Sequence, residues 1–250
     1  MLIKRFPIIV CLFLSQICLA QSISPIELSI NFLSGLKEDS NVESHVRAYE
    51  DLSLRDLQNL LDSDAKKMSF WINTYNGFIL YILKKNPELY QDRTSFFKKK
   101  QVSIGGTKMS FENIEHGILR RSQIPYFLGY ISNPFAPAWV KNLRVDQLDY
   151  RIHFALNCGA KSCPPVQIYT HEQFDNQLDI SSQSFLKKTT QYEPKSDHAK
   201  VVALFSWFRG DFGGGQGIRA VLFKYKATPK RPSKVSTTPY DWTLDLNNWW

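Results

Sequence analysis

Within residues 24–62 apolar side chains recur at helical spacing in two places. Residues 25–36 set Ile26, Leu28, Ile30, Phe32 and Leu33 along one stripe, and 52–61 repeat leucine at 52, 54, 57, 60 and 61. Two amphipathic helices are predicted, separated by Gly35 and the polar run 37–44. Ser63 or Asp64 can cap a third helix over 65–85, which ends in Lys84-Lys85 followed by Asn86-Pro87. Its middle, residues 70–83, is apolar on nearly every side, so this helix belongs in the interior of a domain. Asn73 and Asn76 stand at i and i+3 on it, where each amide needs hydrogen-bond partners. Two roles fit them: tying down neighbouring loops, or positioning a substrate or a catalytic imidazole.

After residue 100 the period changes. Val102-Ser103-Ile104 and Thr107-Lys108-Met109 flank Gly105-Gly106, which is a hairpin signal. Ser110 then opens a helix over 111–121, with Asn113 where a capping box has Glu or Gln, so a one-sided cap is expected. His116 lies near its centre. Glu115 is not expected to pair with it, because adjacent helical residues point apart. Residues 122–149 place Pro125, Pro134 and Pro137 among aromatic residues and read as loop, either a wall or lid for a pocket or a packed irregular segment.

Period 2 in residues 151–156 sets Ile152, Phe154 and Leu156 on one face and Arg151, His153 and Ala155 on the other. A short strand is predicted, with His153 directed away from the apolar core side. It feeds into a loop that holds Cys158 and Cys163 and is stiffened by Pro164-Pro165. Thr170 and Gln173 form a capping-box pattern for a helix to about 188. Residues 200–208 are strand- or helix-like, 211–217 form a glycine-rich turn, and 218–225 read as a helix. The glycines are not followed by Gly-Lys-Ser/Thr, which disfavours a phosphate loop. The aromatic segment 240–245 is expected to pack back onto the domain. The sum is a single α+β domain, several helices packed on a small, mainly antiparallel sheet that carries His153, with the buried central helix 65–85.

Composition changes this picture first at the N terminus. Lys4 and Arg5 precede an apolar run from Phe6 to Leu14, and Ala20/Gln21 has the character of a cleavage site. Residues 1–20 are therefore expected to be a cleavable signal peptide, with 21–250 one globular domain, periplasmic or secreted. No later stretch is apolar for long enough to span a bilayer. The signal carries two of 31 basic and none of 23 acidic residues, so the mature charge is 29 − 23 = +6. Basic residues cluster at Lys98-Lys99-Lys100 and over 224–234, neither interleaved with aromatics as base stacking would need. A nucleic-acid partner is not expected, and a small-molecule or peptide substrate is. Cys158 and Cys163 are the thiols that remain after the signal is removed.

Four blocks resemble the family known as domain of unknown function 547: Phe70-Trp71-Ile72-Asn73-Thr74-Tyr75-Asn76, Ile114-Glu115-His116-Gly117-Ile118-Leu119-Arg120, residues 151–165, and Tyr240-Asp241-Trp242-Thr243-Leu244. They span about residues 45–246 in the order typical of the family. Tyr150 departs from it, standing where members often have proline, which alters the approach to the Arg-Ile-His run and removes no reactive group. The resemblance brings no established activity. Its plant-type members keep the first cysteine of the loop and carry serine at the second, which implies a role for Cys158 besides bridging.

Three kinds of chemistry fit the cysteine loop. Export favours a structural Cys158–Cys163 disulfide, worth roughly 2 kcal/mol for so short a loop. A cysteine-dependent hydrolase or acyl transferase would use Cys158 as nucleophile, His116 or His153 as base, and Asn73 or Asn76 to orient the imidazole or donate to an oxyanion. A metal site fits least well, because Cys-x4-Cys is looser than many zinc pairs and no second short-spaced pair exists. The enzyme is the leading expectation, with no cofactor and no metal, and a non-catalytic binding module with a structural disulfide is the alternative.

Overall fold

Ser24, Ser53 and Ser63 each accept the backbone N–H three residues on, and a helix starts after each. The computed structural model describes residues 24–250, so the expected signal peptide lies outside the described residues. The first helices are α1 (Pro25–Lys37), α2 (Glu43–Asp51), α3 (Leu54–Leu60) and α4 (Asp64–Lys85). Among the described residues three helices thus precede α4 where apolar spacing predicts two. The chain breaks at Leu52-Ser53, and α2 forms in a polar stretch whose only buried side chain is Tyr49. In α4 every residue from Lys67 to Leu80 is buried, as its all-round apolar middle requires. α1 lies directly against it at Gly77, where a Cβ would stand 2.6 Å from the Phe32 ring.

α5 (Arg93–Lys98) leads into β1 (Val102–Ile104) and β2 (Thr107–Met109), the expected hairpin, with Gly105 and Gly106 both at positive φ. Ser110 Oγ accepts the Asn113 N–H at 3.1 Å and Asn113 Oδ1 accepts the Ser110 N–H at 3.1 Å. The cap is therefore reciprocal, asparagine closing the box that the sequence suggests is one-sided. The helix that follows is π-helical over Asn113–Leu119. Two larger differences come next. Residues 151–156 are not a strand: Tyr150–Phe154 form a 3-10 turn capped by the Asp149 carboxylate, and residues 152–157 are all buried, with no alternation. Consequently the sheet does not carry His153, which points into the interior. A six-residue stretch is too short for its period to separate the two conformations, and Arg151, paired with Asp149, Asp175 and Asp179, anchors the turn.

The second difference is the start of α7 (Phe174–Thr189), which follows α6 (Ala138–Leu143). Thr170 does not cap α7; its N–H donates to Gln177 Oε1 at 2.9 Å, and Gln177 Nε2 donates to the Ile168 carbonyl at 3.0 Å, which folds 168–173 into a braced loop. β3 (Gln191–Glu193), β4 (His198–Val201), α8 (Leu204–Trp207), α9 (Gly214–Lys224) and β5 (Lys234–Thr237) complete the elements. β4 is antiparallel to β3 and parallel to β5. The result is one α+β domain with two small, mainly antiparallel sheets. The tail packs back as expected, Lys161 N–H donating to the Thr243 carbonyl and Asp245 N–H to that of Gly159, both at 2.8 Å.

Apolar side chains form two clusters, one built on α4 and one on α7, α8 and α9. His153 sits at their seam, between Ile152 in the first and Phe154 in the second, and Tyr240 packs against both.

Candidate functional site

The seam holds a half-open pocket of about 210 Å³, lined by Tyr75, Leu156, Cys158, Leu204, Trp207 and Phe208. Glu112, Glu115, His116 and His153 supply its polar wall, and Tyr240 and Trp242 add aromatic lining. Glu115 and His116 both reach it although adjacent in sequence. In the wider π turn successive residues are rotated less about the axis, and Glu115 Oε1 stands 3.7 Å from His116 Nδ1. The expectation that the two diverge assumed an ordinary α-helix.

Behind this wall lies a fully enclosed ion pair, Arg120 with Asp211. The guanidinium donates from Nε to Asp211 Oδ2 at 2.6 Å and from Nη2 to Oδ1 at 3.0 Å, a two-pronged pairing. Its remaining arm, Nη1, donates to His116 Nδ1 at 2.9 Å, and His153 Nε2 meets Asp211 Oδ2 at 2.8 Å. The Phe208 ring floors the group, stacked on His153 at 3.9 Å and beneath Arg120 at 4.5 Å.

These bonds decide the tautomers. Arginine has only donors, so His116 Nδ1 is the acceptor and the proton of the neutral ring is on Nε2. Burial, reinforced by Arg120, pushes the His116 pKa down to about 3. Burial also pushes the Asp211 carboxyl up, but His153 and Arg120 outweigh it and hold the group below the ordinary carboxylate value. An ionised Asp211 only accepts, so His153 carries its proton on Nε2 and keeps the Nδ1 lone pair. Burial lowers the His153 pKa, with Asp211 only partly offsetting it, so the ring is neutral near pH 7. Glu115 takes a hydrogen bond from the Tyr75 hydroxyl at 3.1 Å, and burial raises its pKa above the usual range despite Arg120 and His153.

Cys158 and Cys163 are joined as a disulfide, with Cα atoms 6.2 Å apart. Cys158 faces the cavity, and Cys163 is buried behind it. Tyr240 Oη donates to Cys163 Sγ at 3.2 Å and lies 3.6 Å from Cys158 Sγ. Asn157 staples the loop, accepting the Gly159 N–H at 2.8 Å and donating to the Pro164 carbonyl at 2.7 Å.

Of the five residues singled out in the sequence, His116, His153 and Cys158 share the cavity and Asn73 and Asn76 do not. Asn76 accepts the Asn157 N–H at 2.8 Å and donates to the Ala155 carbonyl at 3.0 Å, fixing the backbone just before Cys158. Asn73 grips Tyr169 in the same two-handed way, at 2.9 and 2.8 Å. Both amides are spent on loops, so neither orients an imidazole. That task falls to Asp211, which in the sequence reads only as the start of a glycine-rich turn, and to Arg120, 91 residues away from it. The aromatic segment 122–139 lines a neighbouring depression with Glu112 and His116, not this cavity. Among the described residues no three His, Cys, Asp or Glu side chains are placed to hold a metal ion.

No curated protein and no solved structure matches the chain. The model of a family described as "Protein of unknown function, DUF547" matches residues 59–186, that is 128 of 250 positions. This span holds Asn73, Asn76, His116, Arg120, His153 and both cysteines, and stops short of Asp211 and Tyr240. The chain belongs to the DUF547 family.

Proposed function

We propose that the cavity is the reaction site of an exported hydrolase or acyl transferase in which reduced Cys158 is the nucleophile, His153 the base and Asp211 the group that orients it. One observation carries this reading: His153 is held through Nε2 by a buried carboxylate while its ring and Cys158 face one cavity. An external dithiol first reduces the Cys158–Cys163 bond, leaving two thiols and an oxidised dithiol. Cys158 then gives its proton to His153 Nδ1 and its sulfur attacks an acyl carbonyl. The leaving alcohol, thiol or amine takes the proton back from His153, and the acyl thioester is released to water or to a second acceptor. His116, a neutral ring with its proton on Nε2, is suited to donate to the oxyanion and not to act as base. Aromatic side chains on the wall suit a small molecule or peptide with an apolar acyl group.

The disulfide itself favours a second reading, a binding module whose bridge only holds the loop. Thioester and p-nitrophenyl ester hydrolysis by the reduced protein separates the two. Turnover lost in Cys158→Ser and in His153→Gln supports the enzyme. Reduced wild type no faster than Cys158→Ser supports the module.

A further inference from the structure

Large apolar side chains exposed one at a time are ordinary on a protein surface, but a cluster is not. Six of the ten among the described residues fall in residues 126–135, from Leu128 at 44% exposed to Tyr126 at 72% and Phe135 at 89%. The loop that carries them is firmly built. Ile124 N–H donates to the Ile131 carbonyl at 2.9 Å and Asn133 N–H to that of Ser122 at 2.7 Å, with Gln123 and Ser132 bridged antiparallel between. Its turn is clamped to the body where Gly210 N–H donates to the Leu128 carbonyl at 2.6 Å. Gly129, at φ +83°, leaves no room there for a Cβ, which would stand 2.0 Å from Asp211 Oδ1. The apolar tip is thus held outward by an ordered base.

Its surroundings are basic. Residues 116–145 contain no aspartate or glutamate, while Arg121 and Lys141 are exposed. Lys98 Nζ donates to the Tyr126 hydroxyl at 2.7 Å, which joins the exposed Lys98-Lys99-Lys100 run to the tip, with Glu112 the carboxylate that faces Lys98. We infer that this loop docks the protein onto an anionic lipid surface, its aromatic and aliphatic tip entering the headgroup region and its lysines binding lipid phosphates. The charge decides the occupant, since a protein groove would match the apolar tip with no need for a basic collar. No helix among the described residues is long and apolar enough to cross a membrane; the inferred contact is that of a loop tip with the lipid surface.

Vesicle flotation with the chain from residue 21 tests this, using phosphatidylcholine alone and phosphatidylcholine mixed with phosphatidylglycerol. The expected result is binding at least about tenfold stronger to the anionic vesicles and weakened by salt. It should fall about tenfold or more both in Lys98→Glu/Lys99→Glu/Lys100→Glu and in Tyr126→Ser/Phe127→Ser/Phe135→Ser. Phe135→Ser alone, at the most exposed position, should weaken binding in the same direction and serves where the triple variant is unstable. Equal binding to both vesicle types, or binding indifferent to these variants, overturns the inference. So does a solution dimer dissolved by Phe135→Ser, which would make a second copy the occupant.

Discussion

Arg120 and Asp211 are both wholly enclosed, and each is the other's main neutralising partner. Removing one leaves a bare charge in the core, so Asp211→Ala should lower the unfolding free energy by about 3–5 kcal/mol in urea titrations. Replacing both with apolar residues should recover much of that loss, because the cost lies in the orphaned charge more than in the missing pair. His116 gives a pH signature of its own. With a folded pKa of about 3 against an ordinary 6.5, it stays unprotonated in the folded protein while the unfolded chain takes up a proton. Stability therefore falls as pH drops from 6.5 toward 3, at about 1.4 kcal/mol per pH unit. His153, also lowered, acts in the same direction; Asp211, held low, adds loss only in the carboxylate range, and Glu115, raised, acts in the opposite sense. From pH 6.5 to 5, His116→Gln should lose about 2 kcal/mol less than wild type in urea unfolding. At this scale the sequence displays reactive residue types and hides their partners. His153 and Cys158 stand five apart and can be read together, whereas nothing local marks Asp211 as the partner of His153 across 58 positions.

Elements with a long period or a specific turn chemistry are legible, and short ones are not. α4 is bounded by a serine cap and two lysines and filled with apolar residues, and the Gly-Gly hairpin satisfies a positive-φ demand, so both follow from local physics. The turn at Tyr150–Phe154 and the π segment at Asn113–Leu119 carry or adjoin arginines whose partners are distant in sequence, Asp175 and Asp179 for Arg151 in the first and Asp211 for Arg120 at the end of the second. Those two elements, and not the sheet, present the histidines. Asn76 links α4 to the turn by satisfying the Ala155 carbonyl and the Asn157 N–H. Asn76→Ala leaves both backbone groups buried without partners and should cost about 2–4 kcal/mol. Faster hydrogen exchange at the Asn157 amide would locate that loss at the base of the cysteine loop, and unchanged exchange there would refute the link.

For the molecule as a whole, the cavity exists because two apolar clusters meet without filling the space between them, and the polar network lies along that boundary. The fold class and the buried central helix are visible in the sequence. The seam is not, because it brings α4, the π segment, the cysteine loop, α8 and the tail together from across the chain. The exposed tip at 126–135 adds a second surface, whose base rests on Asp211 through Gly129. In the proposed reaction this boundary makes Cys158 a nucleophile once its bridge is opened. The rate of iodoacetamide alkylation at each cysteine, read by mass spectrometry on the reduced protein between pH 5 and 9, tests it most directly. Cys158 should react faster than Cys163, and wild type should outpace His153→Gln by about tenfold or more near pH 6, since one unit of thiol pKa is a tenfold change in thiolate. Equal rates at Cys158 in wild type and His153→Gln, or a Cys158 that remains unlabelled after reduction, would mean that His153 does not activate Cys158 as a nucleophile.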